Sequence, residues 1–560
     1  MTTEKIKNKL MKSLIKKLGA LVLLSCFAAS CGKDALRSYD AQQQLNAVED
    51  VNDPFLLSSI IKDAVLFYQV RGFDDTRLPG AVQYTERSFQ GGDNYYQGFK
   101  TPTDDLYTAM NILKLVDGAI GLADKRGSSS HKGIFKIFRS LLFSYMTDFY
   151  GDIYYSEALK GREGILYPKY DKQADIYAGL LAELEEANTL IKSGTDEISS
   201  TYDLMYAGDK TKWQKFANSL KLRLLMRASK KLTNAGTQIA AIVSDPSGHP
   251  IFESNDDDAS IPYIGTTRDN SWGGGRLNWD YTEFDRRRPS KTLADKLGGL
   301  NDPRQPVWFA PVEKPWTSNP ALDGVTFETT DPNGFTDEST WEYLDRSNPD
   351  IAAQSANILD SNKIYAGYIP GMYGDFLNGN GNYDIANSGI FGNFKVSRYS
   401  QLFRQNAHPL LKATIMNADE VQFILAEAAV KGYVSGDADT YYREGITLSM
   451  ERWGIPDSKI TPYLAQPGIT LPGDENGDLA KIADQKWLGL FTVATETYLD
   501  IRRTQLPNIF NNGLLVTYPF PLRFIYPGAE LGQNVDAYNA GVSTLSPAVD
   551  NQFSKMWLLQ

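Results

Sequence analysis

The chain has 560 residues, with 57 Lys and Arg against 68 Asp and Glu, a formal charge of −11 and only two cysteines. Such an acidic balance argues against a nucleic-acid partner or an anionic surface held by excess positive charge. Both cysteines, Cys26 and Cys31, lie near the start, so the body has no thiols for a disulfide framework or a thiolate metal site. The first element in chain order is an address. Lys5, Lys7, Lys9, Lys12, Lys16 and Lys17 precede an apolar run, Leu18 to Ala29, interrupted only by Gly19, Ser25 and Cys26. That run is about a dozen residues where a membrane span needs roughly 20, so it reads as a signal peptide that is removed. Without residues 1–30 the charge becomes −16, from 51 basic and 67 acidic groups.

Ala28, Ala29 and Ser30 ahead of Cys31 resemble the lipobox of bacterial lipoproteins. The resemblance implies a mature chain that begins at an acylated Cys31, anchored by several acyl chains because one alone holds only marginally. The alternative is an ordinary secretory signal cut near Cys31. Lys33-Asp34 also resembles a short tag for export to the outer face of the outer membrane.

After a tail to about Asp53, helical spacing dominates. Leu56, Ile60, Ala64 and Phe67 recur at about four residues, which sets them on one helix face. Gly72 to Phe99, rich in Gly and aromatics, reads as loop. Helices are expected at about Asp104 to Ala123 and Ile134 to Tyr150. Asp171 reads as an N-cap for a helix that turns Tyr177, Leu180, Leu181, Leu184 and Ile191 inward, and Asp209 as the cap before Trp213, Phe216, Ala217, Leu220 and Leu224. From Ser244 to Met416 the only helical piece is Ser290 to Leu297. The tryptophans of that stretch, Trp272, Trp279, Trp308, Trp316 and Trp341, argue for an ordered, functional insertion. Helix resumes at Asn417, with Glu420 as a capping-box partner and Gly432 as the stop. Further helices are expected from Ala438 to Arg452 and Asp478 to Thr497, and loop with short strand from Pro507 to Gln560. Paired amphipathic helices with short turns suggest stacked hairpins, though no 34-residue period is visible.

Several phrases then resemble, in order, the SusD/RagB family of nutrient-binding outer-membrane lipoproteins. They are Asp148-Phe149-Tyr150-Gly151-Asp152-Ile153-Tyr154-Tyr155-Ser156-Glu157-Ala158-Leu159, with Tyr154 where the family typically has Pro, Asp203-Leu204-Met205-Tyr206 with Gly208-Asp209 and Lys212-Trp213, Asn218 to Arg223, and Asn301-Asp302-Pro303-Arg304. Ala426-Glu427-Ala428, Gln485-Lys486-Trp487, Arg502-Arg503-Thr504 with Pro507, and Arg523 with Tyr526-Pro527 complete the set. The resemblance implies a mostly α-helical, SusD-like fold of stacked tetratricopeptide-like hairpins, about eight helices, with a long loop-rich ligand-binding insertion. It also implies a partner, a SusC-like TonB-dependent transporter over which the lipoprotein closes on captured glycan or peptide. The expected organisation is signal peptide 1–30, lipidated tail 31–53 and a single domain 54–560, helical over 54–243 and 417–497 and loop-rich over 244–416 and 498–560. Arg223, Arg502 and Arg503 are expected to be structural ion-pair or helix-end residues, and Gln485 and Trp487 core.

Catalytic patterns are missing: no Gly-x-Ser-x-Gly, phosphate-binding loop or His-Glu-x-x-His occurs, and His131, His249 and His408 read as surface or loop residues. No cofactor is expected beyond the lipid on Cys31. Asp474 to Asp478 and Asn378 to Asp384 look superficially like calcium loops, but neither reaches the bidentate Glu of a full loop, and the first reads as a turn in which Asp478 caps a helix. A sugar presents an apolar face and a rim of hydroxyls, so its receptors combine flat aromatic rings with a few orienting polar groups. The candidates are Trp272, Trp279 and Tyr281 with Asn270, Arg276 and Asn278, and second Tyr95 and Tyr96. The sequence thus reads as a non-enzymatic, surface-exposed lipoprotein that captures an oligomeric nutrient, glycan ahead of peptide. A secreted glycoside hydrolase, whose carboxylates need only meet in space, and a ligand-free interaction scaffold are the alternatives.

Overall fold

The computed structural model describes residues 52–74, 77–87, 96, 105–275, 287–349, 362–368, 370, 395–510 and 519–560. The chain divides into two units, Met1–Leu56 and Leu57–Gln560. Helix α1 (Asp53–Gln69) buries the predicted face at Ile60, Ala64 and Phe67, and Phe67 and Tyr68 meet Tyr145 edge-on at 4.8 and 5.8 Å. The stretch read as loop begins instead with a π-turn (Val70–Asp74), a short helix α2 (Arg77–Ala81) and strand β1 (Thr85–Arg87). Burial overrides the glycine signal here, since Phe73, Leu78, Ala81 and Tyr84 are all core.

Helices α3 (Asp105–Arg126), α4 (Ser129–Tyr150), α5 (Gln173–Ser193) and α6 (Lys210–Arg227) pack in sequence, each on the next, followed by α7 (Ala235–Val243). Sandwiched between α3 and α5, α4 is buried on almost every side, including Phe135, Phe138, Leu141, Leu142, Tyr145 and Phe149. At Gly133 the α5 backbone comes so close that an added Cβ would lie 2.7 Å from Ile191 Cγ1 and 2.8 Å from the Ala187 carbonyl oxygen. Asp209 caps α6 as predicted, accepting from the Thr211 and Lys212 amides at 2.8 and 3.2 Å. Asp171 does not cap α5. Its carboxylate accepts from the Tyr155 and Ser156 amides at 3.0 and 2.7 Å and pins the preceding loop.

The insertion leaves and re-enters the helical stack on neighbouring strands, β2 (Ala259–Pro262) and β8 (Lys412–Met416), which pair antiparallel with Ala259 opposite Met416. Between them lie β3 (Arg287–Pro289), paired antiparallel with β1, helices α8 (Lys291–Gly299) and α9 (Gln305–Trp308), and the parallel pair β4 (Trp316–Thr317) and β7 (Glu342–Tyr343). The hairpin β5 (Thr326–Thr330) and β6 (Thr336–Thr340) precedes β7. Most of the described tryptophans here act as pins. Trp308 stacks on Phe491 at 4.3 Å, and Trp272 lies 5.0 Å from Phe73 and 5.9 Å from Phe403.

Beyond β8, α10 (Ala418–Val430) and α11 (Ala438–Arg452) form a hairpin, and α10 also packs on α6, so the stack resumes across the insertion. Asn417 makes no side-chain cap and Glu420 does not complete a capping box, because Glu420 is committed to Arg223. Gly432, at φ +68°, provides the left-handed turn after α10. Then follow α12 (Asp457–Leu464), α13 (Glu475–Gly489), packed on α10 and α11, and α14 (Ala494–Thr504). The single helix expected from Asp478 to Thr497 is thus two helices with a break at 490–493. The break lets Phe491 enter a ring cluster with Tyr84, Trp308 and Phe309. Two further helices, α15 (Gly528–Gln533) and α16 (Val535–Ser543), occupy the tail read as loop. Glu530 explains the first, accepting from Tyr107 and Tyr170 at 3.0 and 2.9 Å and so tying α15 to the stack.

Candidate binding cleft and the residues behind it

Helices α8 and α13 and the segment 506–509 enclose an open cleft of ≈ 810 Å³. Helix α8 is positioned by Ser290, whose hydroxyl accepts from the Leu293 amide at 3.1 Å and whose own amide donates to the Tyr84 carbonyl at 3.0 Å. The apolar surface comes from the partly exposed Leu300, Ala480 and Leu506, backed by the buried Trp487, Pro507 and Ile509. Trp487 is fixed by its indole N–H, which donates to the Val82 carbonyl at 3.0 Å. Charged groups line the rim: Lys296 pairs with Asp484 across the two helices at 2.8 Å, and Asp295 receives Lys291 and Lys363 at 2.8 and 2.9 Å. Burial acts to raise the Asp295 carboxyl pKa, yet the two ammonium groups bring it below the usual carboxylate value. The exposed Asn508 adds a free-standing carboxamide edge. An apolar floor ringed by donors and acceptors matches the two-sided surface of a sugar.

Behind the floor sits Gln83, fully buried in the left-handed region at φ +57°. Its carboxamide donates to the Tyr96 hydroxyl at 3.1 Å and the Ile509 carbonyl at 2.8 Å and accepts from Thr292 at 2.5 Å. Tyr96 is therefore a supporting residue, 1 % exposed, that reaches the cleft through Gln83. No sequence pattern singled out Gln83, because two of its three partners, Thr292 and Ile509, lie more than 200 positions away.

The other candidates fall elsewhere. Trp272 is 1 % exposed and lines a separate, smaller cavity with Trp453. Asn270 uses its carboxamide locally, accepting from the Thr266 and Thr267 amides at 2.9 and 2.8 Å and donating to the Thr266 hydroxyl at 3.0 Å. Trp279, Tyr281, Arg276, Asn278, Tyr95 and Cys31 lie outside the described residues, as does the 378–384 loop. The structure therefore separates Tyr96 from Trp272.

Among the histidines, His131 is not a surface residue. It is buried at the start of α4, with Nδ1 2.8 Å from Asp196. His249 sits between Asp245 and Glu185, at 3.1 and 3.0 Å. Asp474, not Asp478, caps α13, accepting from the Gly477 amide at 2.9 Å, while Asp478 accepts from the Gly473 amide at 2.8 Å. Among the described residues no group of three or more His, Cys, Asp or Glu converges as a metal site would require. Arg223 and Arg503 form the expected structural pairs, with Glu420 and Glu427, and Arg502 donates to the Leu522 carbonyl at 2.8 Å. Gln485 and Trp487 are core, at 1 % and 2 % exposure.

Stacked helical hairpins carrying an inserted, loop-rich half with an open polar-rimmed cleft define a tetratricopeptide-like binding scaffold. The chain belongs to the SusD-like family, described as starch-binding and associating with the outer membrane, which it matches over residues 45–371 and 367–527. Membership makes it a nutrient-binding protein of the outer membrane. Among solved structures it is similar to a SusD homologue of Bacteroides fragilis, at 22% identity over 91% of this chain and 100% of that one, with a TM-score of 0.70. A SusD-like protein from Bacteroidetes matches at 20% identity over 91% and 100% of the two chains, TM-score 0.69. A chitin-binding protein matches at 23% identity over 90% and 99%, TM-score 0.67. No curated protein matches the chain.

Proposed function

We propose that the protein is a surface lipoprotein, anchored through acylated Cys31 on the exterior face of the outer membrane, that captures an oligomeric glycan in the α8–α13 cleft and passes it to a SusC-like TonB-dependent transporter. It acts by binding and closure, and no bond of the ligand is broken. The observation that supports this reading is the cleft itself, with partly exposed Leu300, Ala480 and Leu506 beside a rim of Lys296, Asp484, Asp295 and Asn508. The similarity to a chitin-binding protein supports glycan over peptide.

The test is a titration of the soluble protein, begun after Cys31, with a panel of oligosaccharides and peptides, followed by chromatography of the same mixtures. Saturable binding of an oligosaccharide that is recovered intact is the expected result. Shortened ligand would make the protein a glycoside hydrolase. Binding of no panel member would leave the helical stack as an interaction scaffold.

A further inference from the structure

Helix α13 lies between two cavities. Ala480, Asp484 and Trp487 line the α8–α13 cleft at helical spacing, and Leu479, Ala483 and Lys486, each one position earlier, line a second cavity of ≈ 130 Å³. One position turns an α-helix by about 100°, so the two sets occupy adjoining faces. The partly exposed Leu506 borders both cavities, which makes them neighbouring compartments of one surface.

The compartments differ in charge. In the cleft, Lys291 and Lys296 are balanced by Asp295 and Asp484. The second cavity sets four cations, Lys230, Lys431, Lys486 and Arg503, against the two carboxylates of Glu427 and Asp500, a surplus of positive charge in an acidic chain. Both carboxylates are already claimed. Arg503 donates to the two Glu427 oxygens at 2.6 and 2.7 Å and to Asp500 at 2.6 Å, while Lys431 lies 3.1 Å from Glu427 and Lys486 3.2 Å from Asp500. Lys230 has no carboxylate partner among the described residues. Its ammonium donates to the Arg503 carbonyl at 3.0 Å, near the end of α14, and that bond uses one of three N–H donors. Desolvation, then the Arg503 and Lys431 charges, lower the Lys230 pKa below its usual value against the pull of Glu427. Lys230 is exposed and the Lys431 side chain is 18% exposed, so both are within reach of a ligand, whereas Lys486 and Arg503 are buried and act through their charge.

We propose that this cavity is a subsite for an anionic substituent of the captured glycan, a sulfate ester or a uronate carboxylate whose oxygens accept from the Lys230 and Lys431 ammonium groups, while the adjoining neutral sugar lies in the α8–α13 cleft. The inference rests on that cleft being the glycan site and narrows its ligand to an acidic oligosaccharide. Charge-assisted bonds of this kind are stronger than those between neutral groups. An ammonium is a point charge without the fork of a guanidinium, so tetrahedral sulfate and planar carboxylate both suit it. The volume is roughly four times the ~30 Å³ of one water in the liquid, room for one such group and not for an oligomer.

The probes are two matched pairs, hexagalacturonate with its methyl ester and a κ-carrageenan hexasaccharide with the neutral neoagarohexaose, titrated calorimetrically against the full mature protein at low salt. At least one charged probe should bind about tenfold tighter than its neutral counterpart, and the pair that shows the preference tells carboxylate from sulfate. Lys230→Gln and Lys431→Gln should each reduce that preference about fivefold, and salt at about 0.5 M should reduce it in the wild type. Ala480→Trp, which fills the cleft, should weaken every probe that binds. Thermal unfolding verifies that each variant is folded, and if one lysine variant fails to fold the other decides. Equal affinity for charged and neutral probes, or a preference that survives the lysine substitutions, overturns the proposal; neutral binding lost in Ala480→Trp would then leave the cleft reading standing. Charged-probe binding untouched by Ala480→Trp, or no binding of any probe, overturns both.

Discussion

Arg223 on α6 holds Glu420 on α10 in a two-pronged ion pair, Nε to Oε1 at 2.8 Å and Nη2 to Oε2 at 2.5 Å, across 197 residues of sequence. Their side chains are 3% and 2% exposed. The same guanidinium donates to the Ile415 carbonyl at 3.0 Å, so one residue fixes both the end of β8 and the start of α10. It is the clasp by which the helical stack closes over the insertion. Arg227 extends it, bridging Asp148 and Glu496.

Breaking this pair from one side strands the other charge. Arg223→Met leaves Glu420 buried without its counterion and is expected to cost about 3–5 kcal/mol. The double variant Arg223→Met with Glu420→Leu removes both charges and is expected to recover most of that loss, since replacing a buried pair by apolar groups is often neutral. Urea unfolding of the three proteins measures both, and equal destabilisation of single and double variants would show that the pair contributes more than mutual neutralisation.

The start of α4 depends on a carboxylate 66 residues away. Asp196 accepts from the Ser130 and His131 amides at 2.7 and 3.1 Å and lies 2.8 Å from His131 Nδ1. Burial acts to raise its pKa, but these bonds to the ionised form hold it at about 2, below the ordinary 3.8. A carboxyl depressed in the folded state stabilises above its unfolded pKa and loses that contribution as pH falls through the folded value. The wild type should therefore lose stability between about pH 4 and pH 2, and Asp196→Ala should lose less over that window while being about 1–2 kcal/mol less stable at neutral pH. Chemical unfolding at stepped pH checks both signs.

Close contact between α4 and α5 is set by Gly133. An added methyl would meet Ile191 and the Ala187 carbonyl at less than 3 Å, and a backbone oxygen cannot swing aside as a side-chain end can. Gly133→Ala, usually favourable inside a helix, should here destabilise by about 1–3 kcal/mol. The exposed helical Gly121, with nothing within 4 Å of an added Cβ, is the control. Gly121→Ala should leave the melting temperature equal to or above that of the wild type.

What was legible in the chain follows from what is local. Trp213, Phe216 and Leu220 announce α6 through spacing, and Asp209 announces its cap, because both signals act within one or two turns. Arg223 and Arg503 were readable as structural because a guanidinium in an apolar helix requires a buried acid. Asp171 and Glu420 misled for the converse reason: each has the right spacing for a cap, but a distant partner, Ser156 or Arg223, claims the carboxylate. The break at 490–493 is likewise a tertiary event, driven by the ring cluster that receives Phe491. The cleft could not be read at all. Gln83, Thr292, Trp487 and Ile509 share no pattern and meet only once α2, α8 and α13 have packed. The glycine-rich surroundings of Trp272 and Tyr96 suit ligand platforms, whereas burial makes one a cavity wall and the other a strut.

The cleft is open to a steric test that spares the core. Ala480 lies on the cleft side of α13 and is partly exposed. Ala480→Trp should fill the space above Trp487 and lower oligosaccharide affinity by about 10-fold or more, with the melting temperature within a few degrees of the wild type. Lys296→Ala should weaken binding less, because the half-buried, solvent-reached Lys296–Asp484 pair contributes about 1 kcal/mol or less. Calorimetric titration with the oligosaccharide identified in the panel measures both, and an unchanged affinity in Ala480→Trp would place the ligand elsewhere.

The anchor is tested by the residue that would carry it. If Cys31 is acylated, Cys31→Ala removes the acceptor thiol while leaving the charged and apolar parts of the signal intact, so export continues and attachment does not. Several acyl chains at ~0.8 kcal/mol per buried methylene hold a protein on a bilayer effectively without dissociation, whereas the net negative charge of the body does not favour an anionic bilayer. Fractionation should accordingly find the wild type in the membrane pellet, released by detergent and not by salt, and Cys31→Ala in the soluble fraction. Retention of Cys31→Ala in the pellet after a high-salt wash would mean that something other than the lipid, such as the proposed transporter, holds the protein at the membrane.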